Sequence, residues 1–341
     1  MPALQKCTLM RLRLIKAFAL FMATALLFCS CSLSAPVRKS EYLLGTIISI
    51  TLYDGEDREK LIEDSFSLVR NIEKKVSVNI SDSDISIINN TAFNSEVKLD
   101  DELFSVLSEA MEYCVRTDGA FDIGLGKLIE LWGIGTDKEA VPGMNSLKKF
   151  IGFKGYEHII LDDEKCTVRF VDERVALNLG ACAKGYAEDK VREFLIENNV
   201  TSAILDFGGS ITVIGDKNGS GFNIGVASPS EEGLNGILSE MSDISAVTSG
   251  DYQRFFTANG VTYHHILDSS TGFPALSGVR SVTVVTESAF KGDCLSTAAF
   301  VLGQEEGERL LKDENCSFVI ISDSVQVSED LRDNFSLKYE D

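Results

Sequence analysis

Apolar residues recur along the chain at two different spacings. A spacing of about 3.6 residues predicts helices, whereas runs rich in β-branched residues predict strands. The predicted helices are Arg58–Lys75, Asp100 or Asp101 to about Thr117, Ala183 to about Asn199, and Lys291–Leu302. The predicted strands are Tyr42–Tyr53, Thr167–Leu177, the start of Thr201–Ser210, Ile211–Ile214, Phe222–Ala227, Val261–Leu267, Arg280–Thr286, and Ser317–Ser322 with Val325–Val327. This alternation predicts an α+β body of mixed sheets packed with helices.

Two short segments break the pattern. Gly45 interrupts the first predicted strand, which indicates a bulge or a close backbone approach at Leu44–Thr46. The segment Ser77–Asn89 is dense in Ser, Asn and Asp, which favour turns and local hydrogen bonds between side chain and backbone. We therefore expect no regular element in that segment.

The first 30 residues differ from the rest of the chain. Four basic residues precede the apolar run Ala17–Phe28, and no acidic residue occurs before Cys31. The run is too short to span a bilayer of about 30 Å, so it is typical of the signal peptide of an exported protein. The small residue before Cys31 resembles a lipoprotein signal, in which that cysteine carries a lipid; a simple secreted form is the alternative. The expected organisation is a signal peptide over 1–30, a tether over 31–40 and a folded body over 41–341.

The charge balance narrows the possible partners. The 341 residues include 52 acidic and 32 basic ones, for a net charge of −20. Removal of residues 1–30 takes away four positive charges and no negative one, which leaves −24. A body this acidic repels nucleic acid and anionic membrane surfaces, so nucleic-acid partners are excluded. The cysteines beyond Cys31 form an odd set without a CxxC pair and are expected to be buried small hydrophobes.

The central stretch Asn178–Lys190 joins a predicted strand to a predicted helix. Gly180 and Ala181 allow the backbone to approach a ligand, and the start of the helix supplies free N–H groups with a partial positive charge. Lys184 adds a full positive charge. Such an elbow is suited to receive an anion. The alternative is a helix start that small residues merely tighten.

Two further groups of residues point to chemistry. Asp293 and Thr297 are four residues apart on a predicted helix, so their oxygens share one face and suit a hard cation such as Mg²⁺. A surface aspartate and a threonine bonded to its own backbone are the alternative. His264 and His265 are adjacent, and a histidine near a bound cofactor holds a phosphate or moves a proton near neutral pH. Successive strand residues face opposite ways, and we expect His265 to face the site.

Eight ordered segments, spread over essentially the whole body, resemble the ApbE family, the FAD:protein FMN transferases of bacterial envelopes. The segments are Leu44–Thr46, Ser83–Asn89, Thr117–Asp122 with Trp132–Gly133, Gly180–Tyr186, Asp206–Gly209, Thr248–Tyr252, His265–Asp268 with Thr271–Gly272, and Asp293–Ala298. The resemblance implies a single two-lobed, T-fold-like body and an enzyme that uses FAD as substrate and Mg²⁺ as cofactor. It implies transfer of FMN onto a Thr or Ser hydroxyl of an exported redox protein, with release of AMP, on the periplasmic side of the cell membrane.

The resemblance also implies which residues form the site. The metal ligands fall on the carbonyl of Ala181 and on the side chains of Asp293 and Thr297. The flavin contacts fall on Leu44, Asn79, Ala120, Phe121, Asp122, Asn178, Lys184 and Leu267. The catalytic residues are expected to be His265, Asp293 and Asn79. For Asp118 and Asp122, turn and cap chemistry is the alternative interpretation.

Four positions depart from the family pattern. Leu44 stands for the usual Met, Ser269 for Pro, Asn178 for Asp, and Asn79 for the Tyr of many members. The last change removes a stacking surface and leaves room for water beside the cofactor. Hydrolysis of FAD to FMN and AMP at the same site is therefore a second interpretation. A flavin-binding lipoprotein without chemistry is the third, although a pure binder has no need of a metal site such as that expected at Asp293.

Overall fold

The computed structural model describes residues 35–230 and 233–338. From Val37 onward the chain forms one compact unit. The predicted signal peptide, Cys31 and the first residues of the predicted tether lie outside the described residues. No helix of the described part is both long enough and apolar enough to cross a membrane.

An eight-stranded sheet, antiparallel throughout, forms the centre of the fold. With strands numbered in chain order, its spatial order is β1 (Val37–Leu43), β2 (Thr46–Leu52), β6 (Ser202–Asp206), β7 (Ser210–Gly215), β10 (Ser245–Gly250), β15 (Ser281–Thr286), β16 (Ser317–Ile321) and β17 (Val325–Val327). One three-stranded sheet has the spatial order β18 (Phe335–Leu337), β9 (Leu234–Met241) and β8 (Phe222–Ala227). The other has the order β3 (Val97–Lys98), β5 (Thr167–Phe170) and β4 (Ile159–Asp162). Two hairpins pair β11 (Phe255–Ala258) with β12 (Val261–His264), and β13 (Leu267–Asp268) with β14 (Phe273–Pro274).

The helices of the described part confirm the predicted helical segments within a few residues. They are α1 (Arg58–Val76), α2 (Asp84–Thr91), α3 (Asp101–Arg116), α4 (Gly126–Trp132), α5 (Met144–Leu147), α6 (Ala183–Glu197), α7 (Ala289–Leu302) and α8 (Gln304–Asp313). Asp100 caps α3, since its Oδ1 accepts from the Leu103 N–H at 2.8 Å. The largely apolar α7 lies on β10 and β15 and also packs against α6.

Alternation along the central strands places the two faces of the sheet in different cores. Val284 and Ile320 belong to the larger core, which contains the helices. Their neighbours Val285 and Val319 belong to a second core shared with the β8–β9 sheet. A strand exposes successive side chains to opposite faces, so one sheet supports both cores. The expectation of an α+β body of mixed sheets packed with helices is confirmed.

The predicted strand Tyr42–Tyr53 is in fact a hairpin, so the expected bulge at Leu44–Thr46 is wrong. Leu43 pairs with Thr46, which leaves a two-residue turn. Leu44 and Gly45 have φ values of 51° and 73°, as tight hairpin turns require. The first strand also begins at Val37, four residues before the predicted start of the body at residue 41.

The expectation of no regular element over Ser77–Asn89 is also wrong, because α2 begins there. Ser83 caps this helix by accepting from the Ser86 N–H at 3.0 Å. Ile85 and Ile88 are three residues apart and both are buried. Two apolar residues on one face are enough to dock a short helix, although its sequence is rich in turn-forming residues. The strand predicted over Thr167–Leu177 ends early, at Phe170.

Candidate active site

A lysine and an aspartate from two different helices meet where α6 begins. Lys184 Nζ lies 3.3 Å from Asp293 Oδ1, and the Gly185 N–H donates to Asp293 Oδ2 at 2.7 Å. Gly185 is in the first turn of α6, where backbone N–H groups have no partner within the helix. A Cβ at position 185 would lie 2.3 Å from the carbonyl oxygen of Ala289, so glycine is what lets α6 and α7 approach this closely.

The Asp293 carboxylate is buried beside that positive end of α6. Burial raises its pKa, and the charge of Lys184 together with the Gly185 N–H opposes that rise. Thr297, one turn further along α7, has its hydroxyl 3.2 Å from that of Ser249 at the end of β10. The predicted pair on one face of a helix therefore faces the end of a central strand.

These oxygens fit the expected metal. Ala181 directly precedes Cys182, the residue before α6, and its carbonyl would join the Asp293 carboxylate and the Thr297 hydroxyl. All three donors are hard oxygens with a single carboxylate among them, a set suited to Mg²⁺ that completes its shell with water and phosphate. Each Asp293 oxygen accepts one hydrogen bond and keeps a further lone pair for a cation. Across the described ranges, no three His, Cys, Asp or Glu side chains are grouped as metal ligands.

The adjacent histidines have different roles. His264 is buried, its Nε2 lies 2.9 Å from the Ala275 carbonyl oxygen, and its Nδ1 accepts from the Ile266 N–H at 3.3 Å. It therefore serves the packing of the β12 end. His265 is half-buried, and burial lowers its pKa to about 4, with nearby positive charges of Arg254 and Lys184 acting in the same direction. His265, the histidine that we expected at the site, is thus the one whose pKa is lowered by the charge of Lys184.

His265 is held by the carbonyl of Arg254. That oxygen lies 3.1 Å from the His265 backbone nitrogen and 3.2 Å from its Nδ1. A carbonyl only accepts, so Nδ1 carries the proton and Nε2 keeps its lone pair. A neutral imidazole in this tautomer is ready to take a proton at Nε2.

The Leu44–Gly45 turn is fixed from two sides. The Leu44 N–H donates to Glu73 Oε1 of α1 at 2.9 Å, and the Gly45 carbonyl accepts from Arg254 Nη2 at 3.2 Å. A leucine in the left-handed region is strained, and such strain persists only where the surroundings hold it. The expected flavin contact at Leu44 is thereby connected to the segment that holds His265.

The loop Ala120–Asp122 is connected to the elbow through its neighbour Ile123, whose carbonyl accepts from the Asn178 N–H at 2.8 Å. The Asp122 carboxylate accepts from the N–H groups of Gly124, Gly155 and Tyr156 at 2.6 to 3.0 Å. Burial raises its pKa to about 6 despite these bonds. The side chain therefore has the turn chemistry of the alternative interpretation, and flavin contact by this loop stays a prediction.

Three expected site residues stand apart from this network. Asn79 is exposed, and its backbone N–H donates to Ser77 Oγ at 3.3 Å. Leu267 is buried and pairs with Pro274, while Phe121 is 1% exposed. Among the described residues, an open groove of about 560 Å³ lies near the Ser77 loop between α1 and α3. None of the expected site residues lines it.

The sequence interpretation missed several residues that shape the site. Asn89 binds both the N–H and the carbonyl of Leu177, at 2.6 and 2.9 Å, and so fixes the chain just before Asn178. Glu188, one turn beyond Lys184, is fully buried, and neither carboxylate oxygen makes a hydrogen bond of good geometry. Burial raises its pKa to about 8, although the nearby hydroxyls of Ser210 and Thr212 oppose the rise. Glu188 could have been found from the sequence, because it is a charged residue at a core-facing position of the predicted helix.

The structure thus brings a helix start with a lysine next to a buried carboxylate, with a hydroxyl one helical turn away and a neutral histidine, a combination typical of enzyme sites that bind phosphate-bearing substrates. The chain belongs to the ApbE family, which matches residues 44–320. The FAD:protein FMN transferase of Treponema pallidum (strain Nichols) is 33% identical over 305 residues, covering 83% of this chain and 84% of that protein. The protein of the same name from Klebsiella pneumoniae (strain 342) is 32% identical and covers 87% and 93%.

Solved structures give the same result. The ApbE protein of Thermotoga maritima superposes with a TM-score of 0.82 at 31% identity, over 88% of this chain and 99% of that one. The flavin transferase ApbE of Vibrio cholerae superposes with a TM-score of 0.78 at 25% identity, over 88% of this chain and 99% of that one. The expected family, fold class and enzymatic character are confirmed.

Proposed function

We propose that this chain transfers the FMN half of FAD to a Thr or Ser hydroxyl of an exported acceptor protein and releases AMP. The observation that carries the proposal is the Lys184–Asp293 pair at the start of α6, with Thr297 one turn along α7. A positive helix end, a lysine and a place for a cation together suit the pyrophosphate of a dinucleotide.

The transfer exchanges the phosphoanhydride bond of the FAD pyrophosphate for a phosphoester bond to the acceptor. The acceptor oxygen forms a bond to the FMN phosphorus, the bond from that phosphorus to the bridging oxygen breaks, and AMP leaves with the bridging oxygen. The hydroxyl proton passes to His265 Nε2, whose lone pair is free because Nδ1 is bonded to the Arg254 carbonyl. Lys184 and the first N–H groups of α6 hold the phosphate oxygens in place, so charge that develops at phosphorus is stabilised.

Mg²⁺ would be held by Asp293, Thr297 and the Ala181 carbonyl, and when bound it would neutralise pyrophosphate charge. The protein has a particular need for this help because its net charge is −20. Asp293 is prepared for the task, since the Gly185 N–H fixes one carboxylate oxygen and the neighbouring chain excludes water from it. Thr297 is oriented by Ser249.

Hydrolysis of FAD to FMN and AMP is a second candidate, and the exposure of Asn79 favours it. A water that reaches the phosphorus would react in place of the acceptor hydroxyl. Since the groups that hold the phosphate do not distinguish the two nucleophiles, selectivity depends on access.

We also propose that the protein works on the periplasmic side of the cell membrane, anchored by a lipid on Cys31. The support is the basic and then apolar composition of residues 1–30 and the small residue before Cys31. An exported enzyme needs an exported acceptor, and the acidic surface favours a protein over an anionic polymer as partner.

Mass spectrometry of a candidate exported flavoprotein, incubated with this enzyme, FAD and Mg²⁺, tests the transfer. We expect one FMN adduct on a Thr or Ser, AMP in equal amount, and no adduct with EDTA. His265→Gln should bind FAD and fail to transfer, while exposed Arg332→Gln should behave as wild type. An acceptor that gains no FMN while FAD is cleaved would support hydrolysis instead.

A further inference from the structure

Arg254 is the residue that connects the Leu44–Gly45 turn to His265. Its guanidinium donates to the carbonyl of Gly45 in the first hairpin turn, and its own carbonyl accepts from His265. Its side-chain stem also passes Gly135, where an added Cβ would lie 3.7 Å from Arg254 Cδ. Among the described residues, no other one is hydrogen-bonded both to the Leu44–Gly45 turn and to His265.

The guanidinium is exposed and unmatched by a carboxylate. Within the described residues, no Asp or Glu lies within ion-pair distance of it, although acidic residues outnumber basic ones by 52 to 32. Arg280, by contrast, is paired with Asp251, three residues before Arg254. A guanidinium that keeps its full charge beside an imidazole acts on that imidazole without being neutralised first.

We propose that Arg254 is a positioning residue of the transfer reaction, which ties the Leu44–Gly45 turn to His265 and presents His265 Nε2 to the acceptor hydroxyl. The inference rests on the proposed function. The side chain fixes the segment by its bond to Gly45, so the backbone carbonyl stays aligned with His265 Nδ1. The Leu44–Gly45 turn and His265 then move as one unit, which keeps His265 Nε2 at a fixed distance from the phosphorus.

The charge of Arg254 acts on His265 in addition to the position that Arg254 gives it. The charged and titratable groups that face His265 are Arg254, His264 and Lys184, and each disfavours a second proton on the imidazole. Lys184 is partly compensated by Asp293 at 3.3 Å, whereas Arg254 is not compensated. Loss of the Arg254 charge should therefore move the pKa of His265 upward, toward its ordinary value.

The test compares Arg254→Gln, Arg254→Lys and the control Arg332→Gln in the full chain. Arg254→Gln should lower kcat for transfer about tenfold, with little change in the KM for FAD. As pH is lowered, Arg254→Gln should also lose activity at a pH about one unit above that at which the wild type loses it, because its His265 becomes protonated at a higher pH. Arg254→Lys keeps the charge and should keep the wild-type acid limb, while it loses rate because a lysine does not reproduce the guanidinium geometry.

NMR titration of ¹⁵N-histidine-labelled protein gives a readout that does not need turnover. The chain has only three histidines, so His265→Gln assigns the signal. We expect the His265 midpoint to rise in Arg254→Gln and to stay in Arg332→Gln. An unchanged midpoint together with an unchanged kcat would overturn the inference. If the wild type shows no transfer activity while the His265 midpoint still rises in Arg254→Gln, the proposed function would be refuted and the Arg254–His265 linkage would stand.

Discussion

Asp189 and Asp293 cap each other's helices. Asp189, on α6, accepts from the Ala289 N–H at 2.8 Å and the Phe290 N–H at 3.0 Å at the start of α7. Asp293, on α7, accepts from the Gly185 N–H at 2.7 Å at the start of α6. Each carboxylate meets the positive end of the other helix, so the two helices fix each other's position. Asp293 also faces Lys184, and it is the carboxylate for which we propose a role in metal binding.

The two caps provide a matched pair of variants. Asp293→Ala should lower metal-dependent turnover more than about tenfold, since it removes one of few metal ligands, and it should weaken FAD binding without abolishing it. Asp189→Ala should cost about 1–2 kcal/mol of stability through the lost cap and retain Mg²⁺-dependent activity below its melting temperature. Turnover against Mg²⁺ concentration and thermal melts measure both effects. Full activity of wild type in EDTA would contradict the metal assignment.

Glu188 predicts a pH-dependent stability. Its pKa is about 8 in the folded state and near 4.3 in an unfolded chain, so the folded state binds the proton more tightly. The contribution of Glu188 to the free energy of unfolding should therefore be most favourable below about pH 4.3 and should be lost as pH rises toward 8. Glu188→Gln cannot ionise and should be more stable than wild type at pH 8 by on the order of 1–3 kcal/mol.

Urea unfolding of wild type and Glu188→Gln at pH 5, 6.5 and 8 measures that difference. It should be small at pH 5 and grow toward pH 8. Glu197→Gln on the exposed end of the same helix is the control and should show no such trend. Parallel stability curves for Glu188→Gln and wild type would show that Glu188 does not titrate in this range.

Asn79→Tyr should suppress hydrolysis of FAD in the absence of an acceptor. Asn79 is exposed in the loop before α2, and a ring there would stack on the cofactor and exclude water. FAD binding should be kept or tightened, because stacking adds contact area. Chromatography of FMN and AMP from FAD with Mg²⁺ measures the effect. Equal hydrolysis by both proteins would show that water does not enter at residue 79.

Cys31→Ser should release the protein from the membrane fraction. A lipid on Cys31 would be the anchor, and no helix in the described part of the chain is suited to replace it. Fractionation of cells that express each form, with sequencing of the mature N-terminus, gives the answer. A Cys31→Ser protein that stays in the membrane fraction would place the anchor elsewhere.

The helices were predictable because their signals are local. The spacing of Leu61, Ile62 and Phe66, for example, describes a face that is buried in the structure. The cap at Asp100 was predictable for the same reason, since a capping bond joins residues three apart. The four-residue spacing of Asp293 and Thr297 likewise placed their oxygens on one helix face before any fold was known.

Tertiary structure decided what those residues meet. The Asp293 partners Lys184 and Gly185 are more than a hundred positions away in the chain, and no local pattern encodes a bond of that range. The hairpin turn at Leu44 needed a left-handed leucine, which local preference disfavours and Glu73 and Arg254 hold in place. Arg254 itself looked like an ordinary surface residue in the sequence. The β11–β12 hairpin places it beside His265, but its contact with Gly45, 209 positions away in the chain, arises only in the tertiary structure.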